Sequence, residues 1–226
     1  MKIAIVILFS AAYGFASAQD AWKNIYSQHA WAERDKWQKA DELISLLKVK
    51  QGSHVADVGS HEGYMTFKLA RKVGAEGMVY AVDLDQGKLD KVKQRATEND
   101  IAQIRTIKGK TDDPLLPVNA LDAVLILDTY HEMDDHDDIL QHIKASLKMG
   151  GRLLLCEPIA DSRRDLSRRE QEQKHELALE FALDDLRKAG FHILHQKDNY
   201  INRAKEKGDN MWIIVAEKTE SQQFRK

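Results

Sequence analysis

Apolar residues recur along this chain in two alternating rhythms. Within residues 38–48, Ala40, Leu43, Ile44 and Leu47 fall on one face at helical spacing. His54–Gly59 then reads as a short buried strand, and Met65, Leu69, Ala70 and Val73 mark the apolar side of a second helix. Met78–Asp83 predicts a second strand, Leu89, Val92 and Ala96 a third helix, and Ile104–Lys108 a third strand. Ala123–Leu127 is an unbroken apolar run, the mark of a strand buried on both faces. Ile139, Leu140, Ile143 and Leu147 give a helix stopped by Gly150-Gly151. Arg152–Glu157 is a fifth strand, and Leu179, Ala182, Leu183 and Leu186 form a helix closed at Gly190. Phe191–His195 and Trp212–Ala216 follow as two strands without a helix between them. The loop carrying Lys207-Gly208-Asp209-Asn210 joins them into a hairpin with one antiparallel member. Such alternation builds a parallel sheet covered by helices on both faces. The expected fold is therefore α/β, a doubly wound, mostly parallel seven-stranded sheet. The chain shows no internal repeat.

The first residues stand apart from this pattern. Lys2 precedes an apolar run from Ile3, and the small triplet Ala16-Ser17-Ala18 precedes Gln19 and Asp20. That is the layout of a secretory signal peptide cleaved after Ala18. The run is shorter than the roughly 20 apolar residues of a spanning helix. The expectation is a signal peptide over 1–18, a single domain over 19–226 with no integral membrane segment, and a periplasmic or secreted location.

Composition narrows the function classes. Lys+Arg number 34 against 36 Asp+Glu, a formal charge of −2, so no broad basic footprint for nucleic acid is present. The single cysteine, Cys156, excludes an intrachain disulfide and a cysteine-cluster metal site, and its place inside a strand makes it a core residue.

The chemistry concentrates after the first strand. Asp57-Val58-Gly59-Ser60-His61-Glu62-Gly63-Tyr64 is a glycine-containing turn into a helix start, where backbone N–H groups can meet a polar ligand. In open parallel sheets, ligands bind beyond the carboxyl ends of the strands. Asp83, ending the second strand, can accept hydrogen bonds from both hydroxyls of a ribose. It follows Gly59 by 24 positions, near the ~20 expected of such a pair. Together the two features favour an adenosine-containing cofactor. A dinucleotide fingerprint needs G-x-G-x-x-G, which this turn does not supply, so a nicotinamide-dependent oxidoreductase is disfavoured.

These residues resemble the first motif of class I S-adenosylmethionine-dependent methyltransferases, D-x-G-x-G-x-G, at Asp57, Gly59 and Gly63. Asp83 matches the family's acidic ribose-binding position, with Leu84 beside it. Lys110-Thr111-Asp112-Asp113-Pro114 occupies the loop where the family contacts adenine. Leu121–Glu132 looks like its fourth-strand motif, and Lys148–Leu153 is similar to the turn before its fifth strand. The segment Arg34–Asp41 looks like the N-terminal helix of small, often exported, bacterial members. The resemblance covers roughly residues 30–217. It implies a seven-stranded fold, S-adenosyl-L-methionine as cofactor, and methyl transfer to an unidentified acceptor, a small molecule rather than a nucleic acid. Asp57, Gly59, His61, Gly63, Tyr64, Asp83, Leu84, Thr111, Asp112 and Asp128 become the candidate cofactor-binding residues. Trp37 and Gln38, with Trp31, are candidates for a lid over the donor.

One departure stands inside the motif: His61 replaces the family's middle glycine. At negative φ the imidazole would project out of the turn, away from the donor. This departure and the export signal also support a second reading, a non-catalytic S-adenosylmethionine-binding or fold-retaining module of the cell envelope.

Methyl transfer from a sulfonium is a direct displacement that needs alignment, and a protonated acceptor also needs a base. Tyr130, His131 and Glu132 lie just beyond the fourth strand and are the candidate catalytic residues, His131 as base. Tyr64 and Tyr130 can offer ring faces to the sulfonium. The run Asp128, His131, Glu132, Asp134, Asp135, His136, Asp137 and Asp138 invites a metal reading. However, acids are favoured at a helix start without any ligand, so no metal is expected. Ser162–Glu176, with interspersed Arg and acids, reads as a solvated helix.

Overall fold

The computed structural model describes residues 29–220, so the predicted signal peptide lies outside the described residues. Two short helices, α1 (His29–Asp35) and α2 (Ala40–Leu46), lead into the alternating series. β1 (His54–Val58) is followed by α3 (Tyr64–Val73), β2 (Met78–Asp83), α4 (Gln86–Glu98), β3 (Ile104–Lys108) and β4 (Leu121–Leu127). A 3-10 turn over Tyr130–Glu132 leads to α5 (His136–Ser146) and β5 (Leu147–Ile159). After α6 (Arg168–Glu172) and α7 (Leu179–Lys188) come β6 (His192–Arg203), α8 (Ala204–Lys207) and β7 (Asp209–Glu217).

The seven strands form one sheet in the order β3-β2-β1-β4-β5-β7-β6. β1 sits between β2 and β4, pairing Val55 with Val79 and with Ala123, both in parallel. β7 is antiparallel to β5 and to β6, as the expected hairpin requires. The strand order reverses beside β1, and this switch point leaves a crevice at the carboxyl ends of β1 and β4.

The sheet is buried on both faces because its central strands are apolar at nearly every position. Leu125, Leu154, Cys156, Ile213 and Val215 pack on one face against Leu43 of α2 and Phe67 and Leu69 of α3. Their neighbours Val124, Ile126, Leu153, Leu155 and Trp212 pack on the other against Leu140 and Ile143 of α5 and Leu183 and Leu186 of α7. Period-two alternation thus sorts one apolar run into two cores.

Three expectations change in detail. Leu147 belongs to β5, not to the preceding helix: it pairs with Leu121 ahead of a register shift between Leu121 and Ala123. β6 runs well past His195, to Arg203. It is an edge strand with residues 195–199 exposed, so no apolar alternation marks its length. The segment Ser162–Glu176 is a 3-10 turn and a five-residue helix, not one solvated helix. Buried Gln171 organises it, donating to the carbonyls of Arg163, Arg164 and Leu166 and accepting from the Ala178 N–H.

Candidate active site

A cavity of about 570 Å³ opens at the switch point. Its walls come from the residues just after β1, β2, β3 and β4, with α1 along one side. Gly59 follows β1 at φ +78°, and a Cβ there would meet the Thr129 side chain at 2.3 Å. Only glycine lets the turn pass Thr129. The N–H groups of Gly59 and Ser60 both donate to the Val82 carbonyl at 2.9 Å, which ties the turn to β2.

His61 also takes a left-handed backbone, at φ +48°. This corrects the expectation of a negative φ. The turn requires the geometry of the missing glycine, and the histidine adopts it at a cost of about 1–2 kcal/mol. Its backbone N–H donates to Asp83 Oδ2 at 2.8 Å, and the Asp85 N–H donates to Asp83 Oδ1 at 2.9 Å. Each carboxylate oxygen therefore has one fixed partner and a further lone pair to offer a ligand in the cavity.

Asp57 lies deeper. It is buried, and Thr66 Oγ1 donates to its Oδ2 at 2.6 Å. Burial pushes its carboxyl up to about 6, against the opposing pull of the Thr66 bond and the Arg34 charge. Arg34 enters from α1. Its guanidinium carbon lies 4.3 Å from the centre of the Tyr64 ring, and its Nε donates to Gln38 Oε1 at 2.9 Å. Burial lowers the Arg34 pKa, while Tyr64, Asp128 and Asp57 oppose that shift. Asp128 accepts from Arg203 Nη1 at 2.8 Å, and Arg203 is also paired with Asp209. Burial would raise Asp128, but the Arg203 charge and hydrogen bond hold it below the usual carboxylate range. The charged groups lining the cavity thus include the carboxylates of Asp57, Asp83 and Asp128 and the Arg34 guanidinium.

These groups fit the adenosyl donor implied by the sequence. Asp83 is placed for two ribose hydroxyls, the carboxylates for an ammonium, and Arg34 for a carboxylate. Exposed Leu84 at the rim, with Ile139 and Pro114 in the lining, offers apolar surface to a purine.

The structure brings Asp57, Gly59, His61, Tyr64, Asp83, Leu84, Thr111, Asp128, Glu132 and the lid candidate Trp31 onto the cavity. Gly63, Asp112, Trp37, Gln38, Tyr130 and His131 are outside its lining. Gly63 instead starts α3, at φ +95°. Asp112 is exposed on its loop. Trp37 packs against the core, and Gln38 is buried behind the wall, between Arg34 and Met211 Sδ. Neither lines the cavity.

Tyr130 is fully buried on the far side, where its hydroxyl donates to Asp185 Oδ2 at 2.9 Å and its pKa is raised by burial and by that carboxylate. Its ring stands outside the cavity lining. His131 is buried with Nδ1 2.6 Å from Glu157 Oε2. Burial would lower it, but the Glu157 bond and charge raise it overall. Its Nδ1 is committed to Glu157, and its ring stands outside the cavity lining. Sequence reasoning missed Arg34 and Met133 as lining residues. Arg34 sits in the N-terminal segment already singled out, and a lone cation between aromatic residues was its available signal.

Comparisons with known proteins agree with this geometry. The family described as "Methyltransferase domain" matches residues 49–217. Demethylmenaquinone methyltransferase from Listeria monocytogenes serotype 4a is 29% identical over 118 residues, covering 52% of this chain and 49% of that protein. Aklanonic acid methyltransferase DauC from a Streptomyces species is 26% identical over 124 residues, covering 52% of this chain and 53% of that protein. The chain thus spans about half the length of these curated relatives. A solved S-adenosylmethionine-dependent methyltransferase from Aquifex aeolicus shares the fold, with a TM-score of 0.69 at 17% identity, covering 87% of this chain and 96% of that one. From its motifs, its sheet order and the span of the family match, the chain belongs to the methyltransferase-domain family, among the class I S-adenosylmethionine-dependent methyltransferases.

Proposed function

We propose that this protein transfers a methyl group from S-adenosyl-L-methionine to a small organic acceptor, and that it does so after export from the cytoplasm. The observation that carries the reading is the Asp83 carboxylate, aimed by two backbone N–H groups into a cavity beside the Gly59 turn. The names of the curated relatives, a demethylmenaquinone and an aklanonic acid methyltransferase, support a small organic acceptor. Lys2, the apolar run and Ala16-Ser17-Ala18 support export.

The donor supplies a methyl group on a sulfonium, ready for displacement by a nucleophile. The chain's own residues supply position and field. Asp83 would hold the ribose beside the Gly59 turn. Arg34 takes the donor's carboxylate, and Asp57 and Asp128 face its ammonium. Tyr64 and Trp31, which meet edge to face at 5.9 Å between ring centres, close the α1 side against water. Alignment of this kind can supply most of the acceleration of a displacement.

Calorimetric titration with S-adenosylhomocysteine tests the reading. One saturable site per chain is expected, together with co-purified S-adenosylhomocysteine or S-adenosylmethionine by mass spectrometry. Absence of binding by the folded protein would overturn it.

A further inference from the structure

We infer that His131, Glu132 and His175 form a divalent-cation site of the zinc class on the acceptor side of the cavity, which takes an oxygen atom of the acceptor. This rests on the donor reading above for its function, but not for its existence.

The three side chains come together from distant parts of the chain. The 3-10 turn after β4 carries His131 and Glu132, and His175 follows α6. Glu132 Oε1 lies 3.8 Å from His131 Nε2 and 3.3 Å from His175 Nδ1. The ligating atoms of all three lie within 4.8 Å of one another. Ligands held about 2.0–2.2 Å from a tetrahedral zinc are themselves roughly 3.3–3.6 Å apart. Small rotations of the exposed Glu132 and His175 side chains close the remaining gap around an ion.

The buried member is already oriented. Glu157 accepts from the backbone N–H groups of Thr129 and Tyr130, at 2.8 and 2.9 Å, through one oxygen. Its other oxygen lies 2.6 Å from His131 Nδ1. A carboxylate only accepts, so Nδ1 carries the proton, and Nε2, which faces Glu132 and His175, is the nitrogen left for a cation, which displaces any proton there. A carboxylate behind a histidine in this way is the arrangement that fixes tautomer and ring direction at metal centres. Nothing in the donor reading otherwise accounts for a buried carboxylate–imidazole pair placed under two exposed ligand-type side chains.

Two imidazoles and one carboxylate leave a zinc-class ion with an open position, as catalytic sites do and closed structural sites do not. Glu132 lines the cavity, so that position opens toward it. The acceptor class that fits is a hydroxyl compound, phenolic or enolic. Its O–H proton passes to water as the oxygen binds the ion. The oxygen then forms the new C–O bond while the methyl–sulfur bond breaks, and that electron pair stays on sulfur as the neutral thioether. The sequence pointed away from a metal because acids at a helix start need no ligand, and because the third ligand, His175, lies far along the chain from His131 and Glu132.

The test uses the full-length, tag-free protein, stripped with a chelator and titrated with cobalt(II) in the absence of donor. One cobalt per chain is expected, with the strong visible bands of a four- or five-coordinate ion that shift on adding acetohydroxamate as an oxygen-ligand probe. Substituting His175→Ala removes an exposed side chain outside the cavity lining. It should weaken cobalt binding at least tenfold, as lost metal-site contacts do, and leave S-adenosylhomocysteine affinity unchanged. No such bands, or equal cobalt affinity in His175→Ala, would overturn the site. Bands that ignore the hydroxamate would overturn its open position. Loss of S-adenosylhomocysteine binding alone would overturn the donor reading and leave the cation site standing.

Discussion

The backbone N–H of His61 donates to Asp83 Oδ2 at 2.8 Å, so the residue that replaces the family's glycine helps aim the acid expected to hold the ribose. The bond comes from the main chain, and any residue able to adopt the left-handed turn could make it. The Asp83 carboxylate is therefore the group whose loss should be felt. Asp83→Ala should weaken S-adenosylhomocysteine binding by about 1.5–3 kcal/mol, the worth of a charge-assisted hydrogen-bond partner. Calorimetry on the folded variant with unchanged affinity would remove Asp83 from the site.

Substitution of His61→Gly separates the main chain of the turn from its side chain. At φ +48° a histidine is strained and a glycine is not, so the variant should gain about 1 kcal/mol of stability in the turn. The N–H to Asp83 remains, so donor affinity should hold or improve. A tenfold loss of affinity, about 1.4 kcal/mol, would instead show that the imidazole itself touches the ligand.

Much of this architecture was legible in the sequence, for identifiable reasons. β4 could be read because every residue of Ala123–Leu127 is apolar, and α2, α3, α4, α5 and α7 because one face of each repeats at 3.6 residues. The acid at the end of β2 could be read because sheet topology fixes where it must lie. The far half of β6 could not, because an edge strand exposed over 195–199 carries no apolar alternation. Tyr130 and His131 follow Asp128 within the same short stretch after β4, yet a single 3-10 turn swings both into the interior, toward Asp185 and Glu157. Side-chain direction in such a turn depends on its dihedral angles, which residue order does not report. The approach of His175 to Glu132 is a long-range contact, set by how the α6 corner packs on buried Gln171.

Export has a direct readout. N-terminal sequencing of the native protein should begin Gln19-Asp20-Ala21, from a periplasmic or culture fraction. A native protein that begins at Met1 and fractionates with the cytoplasm would reject export, and would place the enzyme where its donor is made.

Asp57 makes the stability of the fold depend on pH with a definite sign. Burial raises its carboxyl from 3.8 to about 6, so the folded state holds a proton that the unfolded chain has released between those values. The contribution is fully present below pH 4 and is lost as pH rises through 6. Above that, the buried charge costs on the order of 2–3 kcal/mol, because a tenfold change in proton affinity is worth about 1.4 kcal/mol. Asp57→Asn keeps the shape and an acceptor for Thr66 Oγ1 but cannot ionise. The difference in unfolding free energy between variant and parent should therefore move in the variant's favour by that amount between pH 4 and pH 7.5. Urea denaturation of both proteins across this range checks it, because the other titrating groups are common to the two and cancel in the difference. The same substitution should weaken donor binding at pH 7.5, since the amide offers the ammonium no charge. A stability difference that stays flat with pH would mean that Asp57 titrates normally, with solvent reaching it through the open cavity.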